Sequence, residues 1–200
     1  MVNNKTEKPI AYYSQKFAAS DPEALALRSG ISFADGSFHT VLMGKEVTIS
    51  WPEMELKDSR SGMPLSASGR ILLGRLLLEG VLVPSCGQFR SYKEMPWGSV
   101  YETQFSGRCI RRLAATFGNR TEDFIQRCEE LGGGRIPGAD AAAEISFLPG
   151  LLLRLFIWEG DEEFPASAQI LFSDNFPAAF TAEDIAVVGD VMLNALSGRF

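Results

Sequence analysis

Apolar positions recur along the chain with two different periods, and the period changes mark the elements. Ile10, Tyr13 and Phe17 share one helical face over residues 9–19. Asp21-Pro22-Glu23 follows as a helix start, with Asp as cap, Pro in the first turn and an acid behind it, and Gly30 suits the left-handed end of that short helix. Three short alternating runs come next, at 31–33, 38–43 and 46–51, separated by Asp35-Gly36 and Gly44-Lys45. Turns of that composition predict an antiparallel meander, which Pro52 ends. Residues 53–65 read as loop, and 66–79 as a Leu-rich helix apolar on nearly every side, therefore buried, and stopped by Gly80.

The second half is patterned less evenly. Residues 84–101 read as an ordered, aromatic-rich connection broken by Pro84, Gly87, Pro96 and Gly98. Residues 105–117 and 121–131 read as helices divided by Gly118-Asn119, with Gly132-Gly133-Gly134 breaking the second. Runs at 151–158 and 168–172 predict strands joined across residues 159–165, and Thr181-Ala182-Glu183-Asp184 opens a last helix to about residue 196 as an acidic capping box. Hairpins with helices grouped between them predict an α+β fold, with an antiparallel sheet made of an N-terminal meander and a C-terminal hairpin packed against helices. No repeat, low-complexity tract or linker divides the 200 residues, so a single domain over 1–200 is expected, with 1–8 as a flexible tail.

Composition narrows the function classes. Hydrophobic residues make up 46% and charged residues 22%, as in ordinary globular chains, and the net charge is −6. Phosphate-backbone binding relies on clustered Lys and Arg, so no nucleic-acid partner is expected. The polar stretch 1–9 lacks the apolar segment of a secretory signal. The longest apolar runs, 71–84 and 148–158, are interrupted by Arg75, Glu79 and Arg154, and both fall short of the ~20 residues of a membrane helix. A cytoplasmic protein without a membrane partner is the expectation. Cys86, Cys109 and Cys128 form no CxxC pair and read as buried free thiols.

Four groups of residues are candidates for chemistry. Glu159, Asp161, Glu162 and Glu163, with Asp174 facing them across the hairpin, could gather on a hard cation, although their spacing matches no calcium loop; a solvated turn, or pairing with Arg154, is the competing reading. Arg108, Arg111 and Arg112 fall at i, i+3 and i+4, one helical face, and with Arg120, Arg127 and Arg135 could hold an anion beside Gly132–Gly134; Glu129 and Glu130 offer ordinary salt bridges instead. Phe89, Tyr92, Trp97, Tyr101 and Phe105 could line a pocket for a flat organic molecule or pack as a satellite core. His39, the single histidine, lies in an expected strand with no GxSxG motif in the chain to serve, and reads as structural.

The stretch Trp158-Glu159-Gly160-Asp161-Glu162-Glu163-Phe164-Pro165, continued by Ala166-Ser167-Ala168-Gln169-Ile170-Leu171-Phe172, resembles the uncharacterised prokaryotic family known as domain of unknown function 3786, as does Ala182-Glu183-Asp184-Ile185-Ala186-Val187-Val188-Gly189. Weaker pieces elsewhere extend the resemblance over nearly the whole chain: Asp21-Pro22-Glu23 with Ser29-Gly30, Tyr92-Lys93-Glu94-Met95-Pro96 with Tyr101 and Phe105, Phe117-Gly118 and Leu131-Gly132-Gly133. It implies no assigned activity, a setting among anaerobic bacteria and archaea, and relatives that neighbour corrinoid or one-carbon functions. Some relatives carry a cysteine-rich iron–sulfur segment. This chain lacks the four cysteines for one, and where the family tends to read Leu-Phe-Asp it reads Leu171-Phe172-Ser173-Asp174. The signature also admits a packing role, with Trp158 and Phe164 buried and the acidic turn fixing the hairpin. Two function classes stay open. The preferred one is a small-molecule or cofactor binding or accessory protein; the other is a carboxylate- or metal-dependent enzyme using the acidic hairpin at 159–163, which requires a carboxylate in a cleft with a raised pKa. The cofactor, the oligomeric state and any protein partner are left open.

Overall fold

Two antiparallel sheets share one continuous apolar core in the computed structural model, which describes residues 7–199. Most of the tail expectation lies outside the described residues, but Glu7 and Lys8 already belong to helix α1 (Glu7–Ala18). Helix α2 (Pro22–Ser29) starts as its residues dictate: the Asp21 side chain accepts from the Glu23 N–H, and Gly30 sits at φ +76°. The chain is α+β throughout, and among the described residues no helix is long and apolar enough to cross a membrane.

The first sheet is the expected meander with one strand more: β1 (Ser32–Ala34), β2 (Ser37–Leu42), β3 (Lys45–Ser50) and β4 (Leu56–Asp58), each paired with the next. Asp35 and Gly36 both have positive φ, which matches the right-handed twist of the flanking strands. The second turn is Met43-Gly44, one residue earlier than the sequence indicates, also with both φ positive. Tertiary contacts decide it. Met43 is fully buried, its N–H donates to the Phe147 carbonyl at 3.1 Å, and a Cβ on Gly44 would stand 2.9 Å from the Leu131 oxygen. The tip of this hairpin is thereby wedged against the second sheet.

Helix α3 (Ala67–Glu79) is capped by Ser66, whose hydroxyl accepts from the Gly69 N–H, and buries Leu72, Leu73, Leu76 and Leu77 as its composition requires. Residues 84–101 are more regular than a connection. Strand β5 (Phe89–Ser91) runs into a single tight turn (Tyr92–Glu94) that Glu94 closes by accepting from the Ser91 N–H and hydroxyl. Helix α4 (Gly98–Phe105) then begins, so close to that turn that a Cβ on Gly98 would meet the Tyr92 carbonyl oxygen at 1.9 Å. A wide π turn (Ser106–Ile110) joins α4 to α5 (Arg111–Phe117), and the Arg111 N–H reaches back five residues to Ser106. Helix α6 (Thr121–Glu130) follows.

The second sheet has the order β5-β9-β8-β7-β6, with β6 (Gly134–Arg135), β7 (Ala141–Leu148), β8 (Leu151–Trp158) and β9 (Ser167–Ser173). Its inner face is a grid in which Leu155 lies between Ala143 and Ile170, and Leu153 between Ile145 and Phe172, all buried. Helices α5 and α6 and the π turn cover that face. The short α7 (Phe176–Ala179) leads to α8 (Ala182–Leu196), the helix the site is built on. Its start is the expected box: Thr181 Oγ1 accepts from the Asp184 N–H, and the Asp184 carboxylate accepts from the Thr181 N–H at 3.1 Å and hydroxyl at 2.6 Å.

Asp184 also binds the Arg75 guanidinium of α3 at 2.8 Å, and its side chain is only 6% exposed. Removing a cap typically costs about 1 kcal/mol. Removing one member of a buried ion pair costs about 3–5 kcal/mol, because the other charge is left without a partner. Asp184→Ala is therefore expected to destabilise the protein by about 3 kcal/mol or more, and Thr181→Ala by about 1 kcal/mol. Urea unfolding of both variants checks the ranking.

Candidate functional site

Three adjoining hollows run along the first half of α8. The first, about 440 Å³, opens between α4 and α8 and is walled by Tyr92, Tyr101, Phe105, Arg108, Glu183 and Val187. The second, about 480 Å³, shares Arg108, Glu183 and Val187 with it and reaches Tyr13 of α1 and Arg75 of α3. The third, about 260 Å³, shares Arg75 and Asp184 with the second and ends at Trp97 and Phe180. The shared residues make these one groove, of a size usual for small-molecule sites.

Each wall is placed by local structure. The tight turn at 92–94 drives Tyr92 inward, where its ring stacks on Phe105 (4.1 Å, 9° between planes) and its hydroxyl donates to the Ala182 carbonyl at 2.9 Å. Burial pushes the Tyr92 hydroxyl up to about 12, and the charges of Glu102 and Glu183 act in the same direction. The π turn crosses α8 closely enough that a Cβ on Gly189 would lie 2.7 Å from the Cys109 sulfur. Trp97 enters α4 at φ +66° and stays 77% exposed at the groove's end. Such a φ is an outlier for a bulky side chain, and strained positions of this kind cluster at functional sites.

The candidates read from the sequence are divided by this geometry. Tyr92, Tyr101, Phe105 and Arg108 meet in one hollow, and Trp97 stands at the far end of the same groove. Phe89 does not join them: it lies on the outer face of the second sheet beneath the Arg154 guanidinium, 3.8 Å from its ring centre. The arginines do not share one face. Arg108 pairs with Asp190 of α8 and Arg112 donates to Asn194 at 2.7 Å, whereas Arg111 lines a separate hollow with Asn119, Arg120 and Ala166. The wide turn holding Arg108 changes the helical register and carries Arg111 away. Arg120 and Arg127 pair with Asp123, Arg127 also with Glu130, and Arg135 with Glu122, so these three are tied into surface ion pairs.

The acidic hairpin does not converge. Glu159, Asp161, Glu162 and Glu163 are all exposed, and Asp174 lies at the opposite end of β9, accepting from the Ser85 hydroxyl and the Cys86 N–H. Among the described residues no group of three or more His, Cys, Asp or Glu is placed to hold a metal ion. Glu159 accepts from the Thr121 hydroxyl, and Asp161 accepts the N–H groups of Glu163 and Phe164. Those backbone bonds hold the Asp161 carboxyl below its ordinary 3.8, the reverse of what an acid catalyst needs. The alternative reading, a carboxylate enzyme at 159–163, requires a carboxylate in a cleft, and all four stand exposed. Nor is the signature a buried packing device: Trp158 is 36% exposed and stacks on Phe156, Phe164 is 67% exposed, and Pro165 is exposed as well. Arg154 pairs with Glu144, not with the hairpin. His39 is exposed, with Nε2 3.2 Å from the Ala34 carbonyl.

The residues that sequence reading missed sit on α3 and α8: Arg75, Glu183, Asp184, Val187 and Asp190. One signal was available. Arg75 interrupts the Leu-rich run of α3, and a charge there needs a buried partner, here Asp184.

Two measurements follow. Cys86 is exposed rather than buried, whereas Cys109 is buried with its thiol pushed up to about 11 by desolvation, and burial raises Cys128 further. Iodoacetamide on the native protein is expected to label Cys86 alone, with Cys109 and Cys128 reacting only after unfolding; mass spectrometry of digests checks this. The Asp161 side-chain carboxyl is expected to titrate by NMR below 3.8. Because its folded pKa is lowered, its contribution to stability is complete above its unfolded value and is lost as pH falls through the folded one.

Comparison with curated proteins and with solved structures returns no match. Residues 21–195 match the family described as Domain of unknown function (DUF3786), a span that takes in the groove-lining segments of α3, α4 and α8 and the whole Trp158–Phe172 signature. With most of its length inside that match, the chain belongs to the DUF3786 family.

Proposed function

We propose that this chain is a small-molecule binding or accessory protein whose ligand lies in the groove along α8. One observation carries the reading. Three hollows on one helix are joined through Arg75, Arg108, Glu183, Asp184 and Val187, and combine apolar and aromatic walls with a few fixed polar groups. That mixture is what small-molecule sites use: apolar area for affinity and a few polar groups for orientation. The walls stand on the regular elements α3, α4 and α8, and ion pairs from α8 to α3 and to the π turn hold them in place. Hollows of this size fit a ligand of one or two rings. The resemblance to relatives beside corrinoid or one-carbon functions directs the ligand search to intermediates of anaerobic metabolism.

Native mass spectrometry of protein purified without oxygen from its own host tests the reading. The expected result is excess mass from a bound small molecule in the wild type, absent in Val187→Trp, where the new indole fills the junction of the two larger hollows. A bound species retained in Val187→Trp, or an apo mass for both proteins, overturns it.

A further inference from the structure

We propose that the ligand of this groove is an organic cation, an amine or quaternary ammonium on an aromatic or apolar body, with its charged nitrogen held by Glu183 at the mouth formed with Tyr101. The inference rests on the groove being the ligand site and assigns the chemical class that the site selects.

The charges of the groove decide the sign. Its two cations already have partners: Arg75 binds Asp184 at 2.8 Å and Glu79 at 3.7 Å, and Arg108 binds Asp190. An anionic ligand would have to compete with these carboxylates. Glu183 is the contrasting case. It is exposed, lines both larger hollows, and has no hydrogen bond or ion pair among the described residues. Its place in the first turn of α8 supports a negative charge without supplying a counter-charge.

A second carboxylate, Glu102 on α4, adds negative charge near the first hollow. Glu102 Oε2 is shut off from solvent and has no hydrogen-bond partner. A carboxylate oxygen in that state is costly unless a cation or a proton relieves it. Glu102 is not in the lining of the hollow, but its charge and that of Glu183 both act on the Tyr92 hydroxyl, after the larger effect of burial, and the same negative charges favour a bound cation. The walls add to it. Tyr92 and Phe105 are buried and stacked on each other, so the ring left open is Tyr101, which lines the same hollow as Glu183. Aromatic faces carry negative charge density and attract ammonium groups.

Titration calorimetry of the full-length protein at pH 7 tests this with two probes of the same ring and opposite charge, tryptamine and indole-3-propionate. Tryptamine is expected to bind about tenfold tighter than indole-3-propionate, the scale of one desolvated cation–π or ion contact. Glu183→Gln, an exposed and isosteric change, is expected to remove most of that preference, Glu102→Gln part of it, and Val187→Trp or Tyr101→Ala to weaken both probes. Equal or tighter binding of indole-3-propionate that Val187→Trp still blocks would overturn the cationic assignment and leave the groove as the ligand site. Binding of neither probe, or binding that Val187→Trp and Tyr101→Ala leave unchanged, overturns both.

Discussion

The Asp184 carboxylate is the point on which the arrangement turns. It closes the first turn of α8 through Thr181 and binds Arg75 on α3, so a single side chain starts the helix and sets its position against its neighbour. Apolar burial supplies most of the affinity of α8 for the core, through Ile185, Val188, Met192 and Leu196. Burial is non-directional, so the polar contacts of Asp184 add a directional constraint to it. The Asp184–Arg75 pair has one short geometry, 2.8 Å, and ties the first turn of α8 to the middle of α3. The groove exists because that position leaves Glu183, Val187 and Asp190 facing the gap between α1, α3 and α4.

The parts of the fold legible in the sequence were those where local chemistry and tertiary demand agree. Asp21, Ser66 and Thr181 cap helices because their oxygens satisfy free N–H groups, and Gly30 and Gly80 close helices. The elements that were not legible are made by pairing. Strand β7 opens with Ala141-Ala142-Ala143, residues of low strand propensity, and is a strand because β8 lies beside it. Strands β4, β5 and β6 are two or three residues long and carry almost no pattern of their own. The Met43-Gly44 turn is displaced from its expected place by a contact with the second sheet.

The candidate site shows the same division. The aromatic segment was visible as a composition, and four of its five members line the groove. The arginine triplet was read on the period of an ordinary helix, and the π turn invalidates that period at Arg108. Such turns recur at functional sites, since the extra residue re-aims the side chains that follow. Here the result separates arginines that pair with α8 from Arg111, which faces another hollow. The second half of the groove was invisible because its residues come from α3 and α8, more than 80 positions apart, and only their packing makes them neighbours.

The pairing of β5 with β9 joins segments far apart in the sequence. The four-stranded sheet consists of hairpins between successive segments and can close as soon as residues 32–58 are present. The outermost strand of the five-stranded sheet must wait for β9, because its partners Leu171, Phe172 and Ser173 lie beyond α4, α5, α6, β7 and β8 in sequence. Closing so long a loop is slow for entropic reasons. Tyr92 directly follows β5, and its hydroxyl donates to the Ala182 carbonyl at the head of α8. The aromatic wall of the groove therefore rests on a contact between residues 90 positions apart, which costs more loop entropy to close than the hairpins of the first sheet.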